Sequence, residues 1–277
     1  MKTLFIGGGA MASALIGGIL QGTNRAKNVI VVDPAEAQRA RLEDMFPGVR
    51  CSAELQPILL DDVDLVVLAV KPQQMHTVTR QIRPLVEKIP LMLSIAAGVR
   101  ITTMSRWLGG YAYLVRAMPN TPALVGAGIS AVYATPKVDG AAREKINRLL
   151  FPVGDILWVS DETRIDAMTA ISGSGPAYVF YFLESLQEAA QMLGMQEDRA
   201  RFVALRVVEG SLKLAQHDER AFAQLRADVT SKGGTTEHAL QVLDVANVRH
   251  IICEAIKAAR NRAIELGSAL DAEGADE

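Results

Sequence analysis

Short apolar runs alternate with helical segments over the first 160 residues of this 277-residue chain. Several runs, such as residues 65–70, are apolar throughout. Strands of a parallel sheet that is covered by helices on both faces have this continuous apolar character. The pattern therefore predicts an α/β fold with a Rossmann-type, doubly wound sheet. The predicted strands are residues 2–6, 28–33, 64–70, 90–95, 111–118, 128–133 and 155–159.

The sequence pattern changes near residue 161, where strand-like runs stop and long helical patterns begin. We therefore predict a sheet domain over residues 1–160 and an all-helical domain over residues 161–277. The segment 176–193 is apolar around most of its first turns. Such a helix needs cover on several sides, either from its own domain or from another subunit.

Composition excludes several classes of protein. Lys and Arg number 29 against 31 Asp and Glu, so no basic excess exists to neutralise a nucleic acid. Six glycines in the uncharged residues 3–24 argue against a signal peptide or a membrane helix. Cys51 and Cys253 cannot build a disulfide framework, and we expect two free thiols in the cytoplasm.

The first predicted strand runs directly into a glycine turn, residues 7–12, with the pattern G-x-G-x-x-A. Gly7 permits a tight turn, Gly9 allows close approach of a pyrophosphate, and Ala12 allows close helix–strand packing. Asp33 lies 21 residues beyond Ala12, at the end of the second strand, where a carboxylate accepts ribose hydroxyls. A strand, a glycine turn, a helix and a terminal acid together predict a dinucleotide site.

Asp33 also bears on the choice of dinucleotide. A carboxylate there should repel a 2′-phosphate, which favours NADH over NADPH. Arg39 and Arg41 are near in sequence and would offset this repulsion if they fold back onto the strand end. Left as solvated helix charges, they would leave the preference for NADH intact.

Three further strand ends carry residues suited to the same crevice. Lys71 follows the third strong strand, and the small residues 94–98 leave room for a flat ring. Pro119 and Pro122 stiffen the next loop, so that Asn120 is held where it can meet a carboxamide.

Two Gly/Ser/Thr turns precede helices in the second half, at residues 172–176 and 230–236. Hydroxyls and backbone N–H groups at a helix start form a carboxylate-sized anion site. The four histidines form no pair with metal-ligand spacing, so no metal is expected. Neither turn by itself identifies a reaction.

Taken together, the motifs resemble the pyrroline-5-carboxylate reductase family along nearly the whole chain. The resemblance rests on FIGGGAMA, LAVKPQ, SIAAG, VRAMPNTPA, DAMTAISGSGPAYVF and DVTSKGGTTEHAL, in that order. It implies a Rossmann domain followed by a helical domain that binds substrate and forms a homodimer, with further assembly into rings. It also implies reduction of L-1-pyrroline-5-carboxylate to L-proline by NADPH or NADH, without metal or flavin.

The resemblance also assigns roles to residues. The cofactor side comprises Ile6, Gly7, Gly8, Gly9, Ala10, Met11, Asp33, Pro34, Ala69, Val70, Lys71, Pro72, Ala96, Ala97, Gly98 and Asn120. The substrate side comprises Glu162, Ser172, Gly173, Ser174, Gly175, Gly233, Gly234, Thr235 and Thr236. Thr236 carries the hydroxyl that bonds the ring nitrogen and is the catalytic candidate.

Two departures from the family pattern concern the cofactor, namely three consecutive glycines and Gln56 where many relatives carry an Asn. Glu219 is a weaker match for an acid near the substrate. Two alternatives stay open. One is a related dehydrogenase or imine reductase for another small carboxylate, for which Lys232 is the best candidate base. The other is a non-catalytic NAD(H)-binding sensor.

Overall fold

A computed structural model describes residues 1–22 and 25–272. Eight strands form one sheet: β1 (Thr3–Ile6), β2 (Val29–Val32), β3 (Arg50–Ser52), β4 (Leu65–Leu68), β5 (Met92–Ser94), β6 (Leu114–Met118), β7 (Gly128–Ala134) and β8 (Gly154–Trp158). The helices are α1 (Ala10–Gln21), α2 (Glu36–Met45), α3 (Met75–Ile82), α4 (Ile101–Trp107), α5 (Gly140–Leu150), α6 (Thr163–Met168), α7 (Gly175–Met192), α8 (Glu197–His217), α9 (Phe222–Asp228), α10 (Thr235–Val245) and α11 (Val248–Ala272).

The chain divides into two compact units, residues 1–174 with 259–277, and residues 175–258. No strand follows β8 in the part of the chain that the structure describes, and the helices after it begin with α6, close to the predicted boundary. However, α6 packs on β6 and β7 and belongs to the first unit. The domain boundary at residue 160 stays a prediction. None of the helices that the structure describes is long and apolar enough to cross a membrane.

The sheet of the first unit has the strand order β3-β2-β1-β4-β5-β6-β7-β8. Alternate residues of each strand enter two apolar cores, one on each face. Phe5 packs toward α1 and α5, whereas Leu4 and Ile6 pack toward α3 and α4. This two-faced burial confirms the predicted doubly wound sheet.

Two details of the sheet differ from the sequence prediction. β7 runs antiparallel to β6, with Arg116 opposite Tyr133. The connection, residues 119–127, is shorter than the dozen or so residues that a parallel crossover needs. β3 was not predicted because its three residues, Arg-Cys-Ser, contain no apolar run. It adds to the edge of the sheet beside β2.

The C-terminal part of α11 belongs to the first unit. Leu270 is buried in the same apolar core as α4. Asp271 accepts a hydrogen bond from the Thr103 hydroxyl, and its backbone oxygen accepts one from Arg106 at 2.6 Å. These contacts fix the end of the chain's last helix against α4.

The second unit contains α7–α10 and the start of α11. Only small residues of α7 and α8, such as Ala190, Ala200 and Ala204, are buried there. Phe180 and Tyr181 are 65% and 73% exposed in the single chain. The segment 176–193 was expected to be covered either by its own domain or by another subunit. Its own unit leaves these aromatic side chains exposed and therefore does not supply the cover.

Candidate functional site

The sheet brings the predicted cofactor-side residues to one edge. Ile6 ends β1 and residues 7–11 follow it, while 33–34 follow β2, 69–72 follow β4, 96–98 follow β5, and Asn120 follows β6. The strand order reverses at β1, which lies between β2 and β4. Ligands of open α/β sheets bind in the crevice at such a reversal. The placement supports a dinucleotide site here, and each residue's contact with the cofactor stays a prediction.

The turn after β1 has no room for a side chain at Gly7. Its φ is +95°, and a Cβ there would lie 2.6 Å from the backbone oxygen of Ala69. The Gly7 N–H donates to the Val32 oxygen at 2.8 Å. The ends of β1, β2 and β4 therefore approach one another at this glycine.

Gly9 has the opposite character. It precedes α1 with φ −62°, and no atom lies within 4 Å of the position that its Cβ would take. The first N–H groups of a helix have no intrahelical partner and attract anions. Gly9 and the exposed Ala10 therefore form an open cradle that fits a pyrophosphate.

Asp33 also supports the glycine turn. One carboxylate oxygen accepts the Gly8 N–H at 2.8 Å, and the other accepts the Ala35 N–H at 2.9 Å. The Gln38 side chain donates to the Gly8 oxygen from the other side. Sequence reasoning considered Asp33 as a ribose ligand and as a charge that repels a 2′-phosphate, and missed its support of the turn. It also missed Gln38, which no local pattern distinguishes from other polar helix residues.

Arg39 folds back onto the end of β2. Its Nη1 donates to the backbone oxygens of Asp33 and Pro34 at 2.8 and 2.9 Å. The guanidinium is therefore bonded to the backbone of the residue whose carboxylate was expected to repel a 2′-phosphate. Arg41 is exposed on α2. Of the two arrangements considered for these arginines, Arg39 folds back onto the strand end and Arg41 is a solvated helix charge.

The loops after β4 and β5 lie at the same edge of the sheet, and their described contacts are within the first unit. Lys71 is exposed and precedes a 3-10 turn at Pro72–Gln74. In the neighbouring loop, Gly98 lies against Gly267 of α11. The Ala96 N–H donates to the Ser94 hydroxyl at 3.3 Å.

Asn120 is buried, and its amide joins three segments. Its Nδ2 donates to the Ser172 backbone oxygen at 3.0 Å, and its Oδ1 accepts the Ile129 N–H at 2.9 Å. One amide hydrogen remains for the predicted carboxamide contact. Asn120 thus connects the loop after β6 to the first Gly/Ser turn.

The residues before α7 differ from the expected helix start. Thr169–Gly173 form a π-helical turn that continues α6. The Ser174 N–H donates to the Thr169 oxygen at 2.9 Å, and the buried Ser172 hydroxyl donates to the Met168 oxygen at 2.8 Å. Part of the expected donor set is therefore used within the turn. Single π turns recur at functional sites, and substrate contact by Ser172, Gly173, Ser174 and Gly175 stays a prediction.

The second turn, in the other compact unit, is an open helix start. α10 begins at Thr235 with Gly234 as its N-cap, so Thr235 and Thr236 occupy its first two positions. Both threonines are exposed. The Gly233 N–H donates to the Glu237 carboxylate at 2.6 Å. This amide already holds a carboxylate, which is the group that the resemblance assigns to it.

Glu162 has partners inside the first unit. Its Oε1 accepts the Ile101 N–H at 2.9 Å and lies 3.0 Å from Nη1 of Arg116. Asp166 pairs with the same guanidinium at 3.4 Å. Sequence reasoning missed Arg116 and Asp166, although a charged residue inside the apolar run 111–118 was the available signal.

Cys51 is unsuited to nucleophilic catalysis. Burial, with the Glu43 carboxylate next in importance, raises the pKa of its thiol to about 11. The thiolate is the reactive form of cysteine. The thiol therefore stays protonated and unreactive near neutral pH.

The two glycines of the turn should respond differently to a methyl group. Gly7→Ala forces strain against backbone atoms and should lower the free energy of unfolding by about 1–3 kcal/mol or more. Gly9→Ala should cost less than about 1 kcal/mol. Its methyl group stands in the open cradle, so NADPH affinity should fall about tenfold, or about 1.4 kcal/mol. Urea unfolding and fluorescence titration measure both quantities. Equal stability losses in the two variants would contradict this account of the turn.

Comparison with known proteins places this geometry in a family. Residues 162–266 match the family model described as pyrroline-5-carboxylate reductase dimerisation. Residues 2–98 match the one described as NADP oxidoreductase, coenzyme F420-dependent. The pyrroline-5-carboxylate reductase of Pseudomonas aeruginosa is 39% identical over 271 residues, covering 97% of this chain and 98% of the relative. That of Pasteurella multocida is 38% identical, covering 95% and 96%.

Solved structures of the same family are also similar to this chain. A pyrroline-5-carboxylate reductase from Coxiella burnetii has a TM-score of 0.87 at 37% identity and covers 96% of this chain and 98% of its own. The Plasmodium falciparum pyrroline carboxylate reductase with NADP bound has a TM-score of 0.86 at 28% identity, with the same coverage. The identity and coverage of these relatives, together with the glycine turn, the carboxyl-edge crevice and the open start of α10, show that the chain belongs to the pyrroline-5-carboxylate reductase family.

Proposed function

We propose that this chain reduces L-1-pyrroline-5-carboxylate to L-proline with NADPH or NADH, the last step of proline biosynthesis. Family membership supports the reaction. The observation that carries the proposal is the open cradle at Gly9 beside the strand-order reversal at β1. The proposed location is the cytoplasm, where the free thiols Cys51 and Cys253 stay reduced.

The chemistry asks little acid–base strength of the protein. A bound reduced nicotinamide supplies a hydride, and the protonated imine carbon of the substrate accepts it. The protein has to hold the nicotinamide close to the imine carbon in the right orientation. Such positioning can lower the activation barrier of hydride transfer substantially. Residues 69–72 and 96–98 line the crevice edge that would hold the nicotinamide half of the cofactor.

The start of α10 is the proposed carboxylate clamp. The N–H groups of Gly233, Gly234 and Thr235 lie at or next to the N-terminus of a helix, which favours an anion. The Glu237 carboxylate on Gly233 already shows that an anion can be accommodated there. A substrate carboxylate on this amide would replace that of Glu237.

We assign Thr236 the role of orienting the ring nitrogen through its exposed hydroxyl. Threonine is too weak an acid to serve alone as a strong general acid, so its effect should be on orientation and proton relay. Lys232, the base required by the dehydrogenase alternative, lies in the exposed turn before α10 and not on a helix.

The function is tested by incubating the purified protein with NADPH or NADH and the cyclic imine. Loss of absorbance at the reduced-nicotinamide band, with formation of proline, is expected. Binding of the dinucleotide without turnover would favour the sensor alternative. Turnover only with a different small carboxylate would favour the related dehydrogenase or imine reductase.

Thr236→Ala should lower kcat about tenfold or more, because the hydroxyl that orients the ring nitrogen is lost. Thr236→Ser keeps a hydroxyl and should retain most of the activity. Steady-state kinetics and cofactor titration separate the effects. A parallel loss of kcat and NADPH affinity in Thr236→Ala would reject this role.

Arg39 should favour NADPH, since its guanidinium can pair with a 2′-phosphate beside Asp33. Arg39→Ala should lower the ratio of kcat/KM for NADPH over NADH about tenfold. Arg41→Ala, an exposed arginine on the same helix, is the matched control and should leave the ratio within about twofold. If the wild-type enzyme clearly prefers NADH and Arg39→Ala leaves the NADPH/NADH ratio of kcat/KM unchanged, Arg39 has no role in the choice. The preference would then follow from the Asp33 charge alone.

We also propose that the helical unit forms a homodimer. Its aromatic side chains, including Phe180, Tyr181 and Phe182, are all more than half exposed in the single chain. Contiguous apolar surface of this kind marks a subunit interface. A second copy is the occupant that the family's dimerisation region suggests.

Light scattering after gel filtration should give at least twice the mass of one chain, and a larger mass would indicate assembly into rings. Phe180→Asp should shift the protein toward monomer, because a charge is then buried at the interface. Phe151→Asp is the control, since Phe151 is a comparably exposed aromatic residue of the first unit. An unchanged mass in Phe180→Asp would count against this interface.

A further inference from the structure

A buried arginine lies in β6, inside an otherwise apolar strand. Arg116 is 2% exposed. Leu114 and Arg116 point to the same face of the sheet, and Leu114 belongs to the core that contains Ile101. A guanidinium keeps its charge, so burying it is strongly unfavourable without paired, hydrogen-bonded partners.

The partners of Arg116 come from the segment that leads to the first Gly/Ser turn. Glu162 precedes α6 and Asp166 lies one helical turn later, so both carboxylates face the same guanidinium. Their side chains are 17% and 8% exposed. We call these three residues the Arg116 cluster. A second guanidinium, that of Arg100, also lies near the cluster, with its Nη2 4.0 Å from Oδ2 of Asp166.

One oxygen of the cluster joins three segments. Oε1 of Glu162 pairs with Arg116 of β6 and accepts the N–H of Ile101, the first residue of α4. α4 begins three residues after the loop 96–98, which is predicted to border the nicotinamide. The cluster therefore links the start of α4, the middle of β6 and the start of α6.

The same segment continues into the substrate-side turn. α6 runs into the π turn Thr169–Gly173 without a break. Asn120, two residues beyond β6, holds the Ser172 backbone oxygen. A Cβ on Gly173 would lie 3.1 Å from the Met118 side chain. The segment 162–173 is thus anchored at both ends, by Arg116 of β6 at its start and by Asn120, just after β6, at the turn.

We propose that Arg116 is a positioning residue for the reaction. Through Glu162 and Asp166 it sets the place of the substrate-side turn, residues 172–174, relative to the loop 96–98. This inference rests on the proposed function, because the positions of the two loops matter only if they hold the reacting groups. Arg116 itself need not touch substrate or cofactor.

Arg116→Lys is the first test. A lysine ammonium is a compact point charge and cannot reproduce the planar fork that serves two carboxylates. We expect kcat/KM for the imine to fall about 10- to 100-fold, as misplacement by about 1 Å does elsewhere. NADPH affinity should change less than about threefold, because it depends mainly on the glycine turn after β1, which is not part of the Arg116 cluster.

Asp166→Asn is the second variant, with the same shape but without the charge. It should show the same split between kcat/KM and NADPH affinity. Hydrogen–deuterium exchange of the peptide over residues 168–176 should be faster in both variants, while exchange in β1 and β2 is unchanged. This readout does not depend on turnover.

Ile146→Val is the matched control for a loss of stability. Ile146 is fully buried in α5, in the core on the other face of the sheet. The Ile146→Val substitution should lower the melting temperature without changing kcat/KM or hydrogen–deuterium exchange over residues 168–176. An equal loss of activity in Ile146→Val would show a general effect of instability and overturn the proposal.

Other results would also overturn it. Folded Arg116→Lys and Asp166→Asn proteins with wild-type kcat/KM and wild-type exchange would exclude positioning. Loss of activity in Glu162→Gln alone would instead assign Glu162 a direct substrate contact. Aggregation of both Arg116→Lys and Asp166→Asn would assign the cluster to folding alone. Failure of the wild-type protein to reduce the imine would reject the proposed function, whereas the exchange data would still test the positioning.

Discussion

The close approach of three strand ends at Gly7 is the constraint on which the rest of the first unit depends. Its N–H bonds to the end of β2, and its α-carbon faces the backbone after β4 with no room for a methyl group. Because parallel strands end at one edge, their following loops meet there. The same turn leaves Gly9 open, so tight packing and an accessible helix start are only two residues apart.

Asp33 and its neighbours show how the polar groups at the end of β2 support the glycine turn. The carboxylate supports the Gly8 and Ala35 amides, and Arg39 bonds the backbone oxygens beside it. A carboxylate that was considered only for its effect on a cofactor is thus also part of the backbone structure of the turn. The charge at the end of β2 has two contributions, the Asp33 carboxylate and the Arg39 guanidinium.

The polar interior around Arg116 contrasts with the apolar cores on either face of the sheet. An apolar residue at this position in β6 would pack with less desolvation cost. What Arg116 adds is direction, because its planar N–H groups donate to carboxylates only in a narrow geometry. The helical unit differs in that Phe180, Tyr181 and Phe182 are exposed on the single chain, and burial of such apolar surface is favourable without a fixed direction.

Local pattern alone determined much of this protein. Apolar runs with the right spacing predicted seven of the eight strands in the described part of the chain, and the glycine turn with Asp33 predicted the dinucleotide crevice. These features are encoded over short stretches, because strand burial and turn geometry depend on neighbouring residues. The resemblance to a family supplied the substrate, which no local pattern could identify.

Tertiary structure decided what depends on residues far apart in the chain. The antiparallel direction of β7, the edge strand β3, the fold-back of Arg39 onto Asp33 and the pairing of Arg116 with Glu162 and Asp166 all belong to this class. The type of a residue determines which bonds its side chain can make, but not which partner the fold brings within reach. That choice is made only when strands and helices pack, since packing fixes the distances between residues that are distant in sequence.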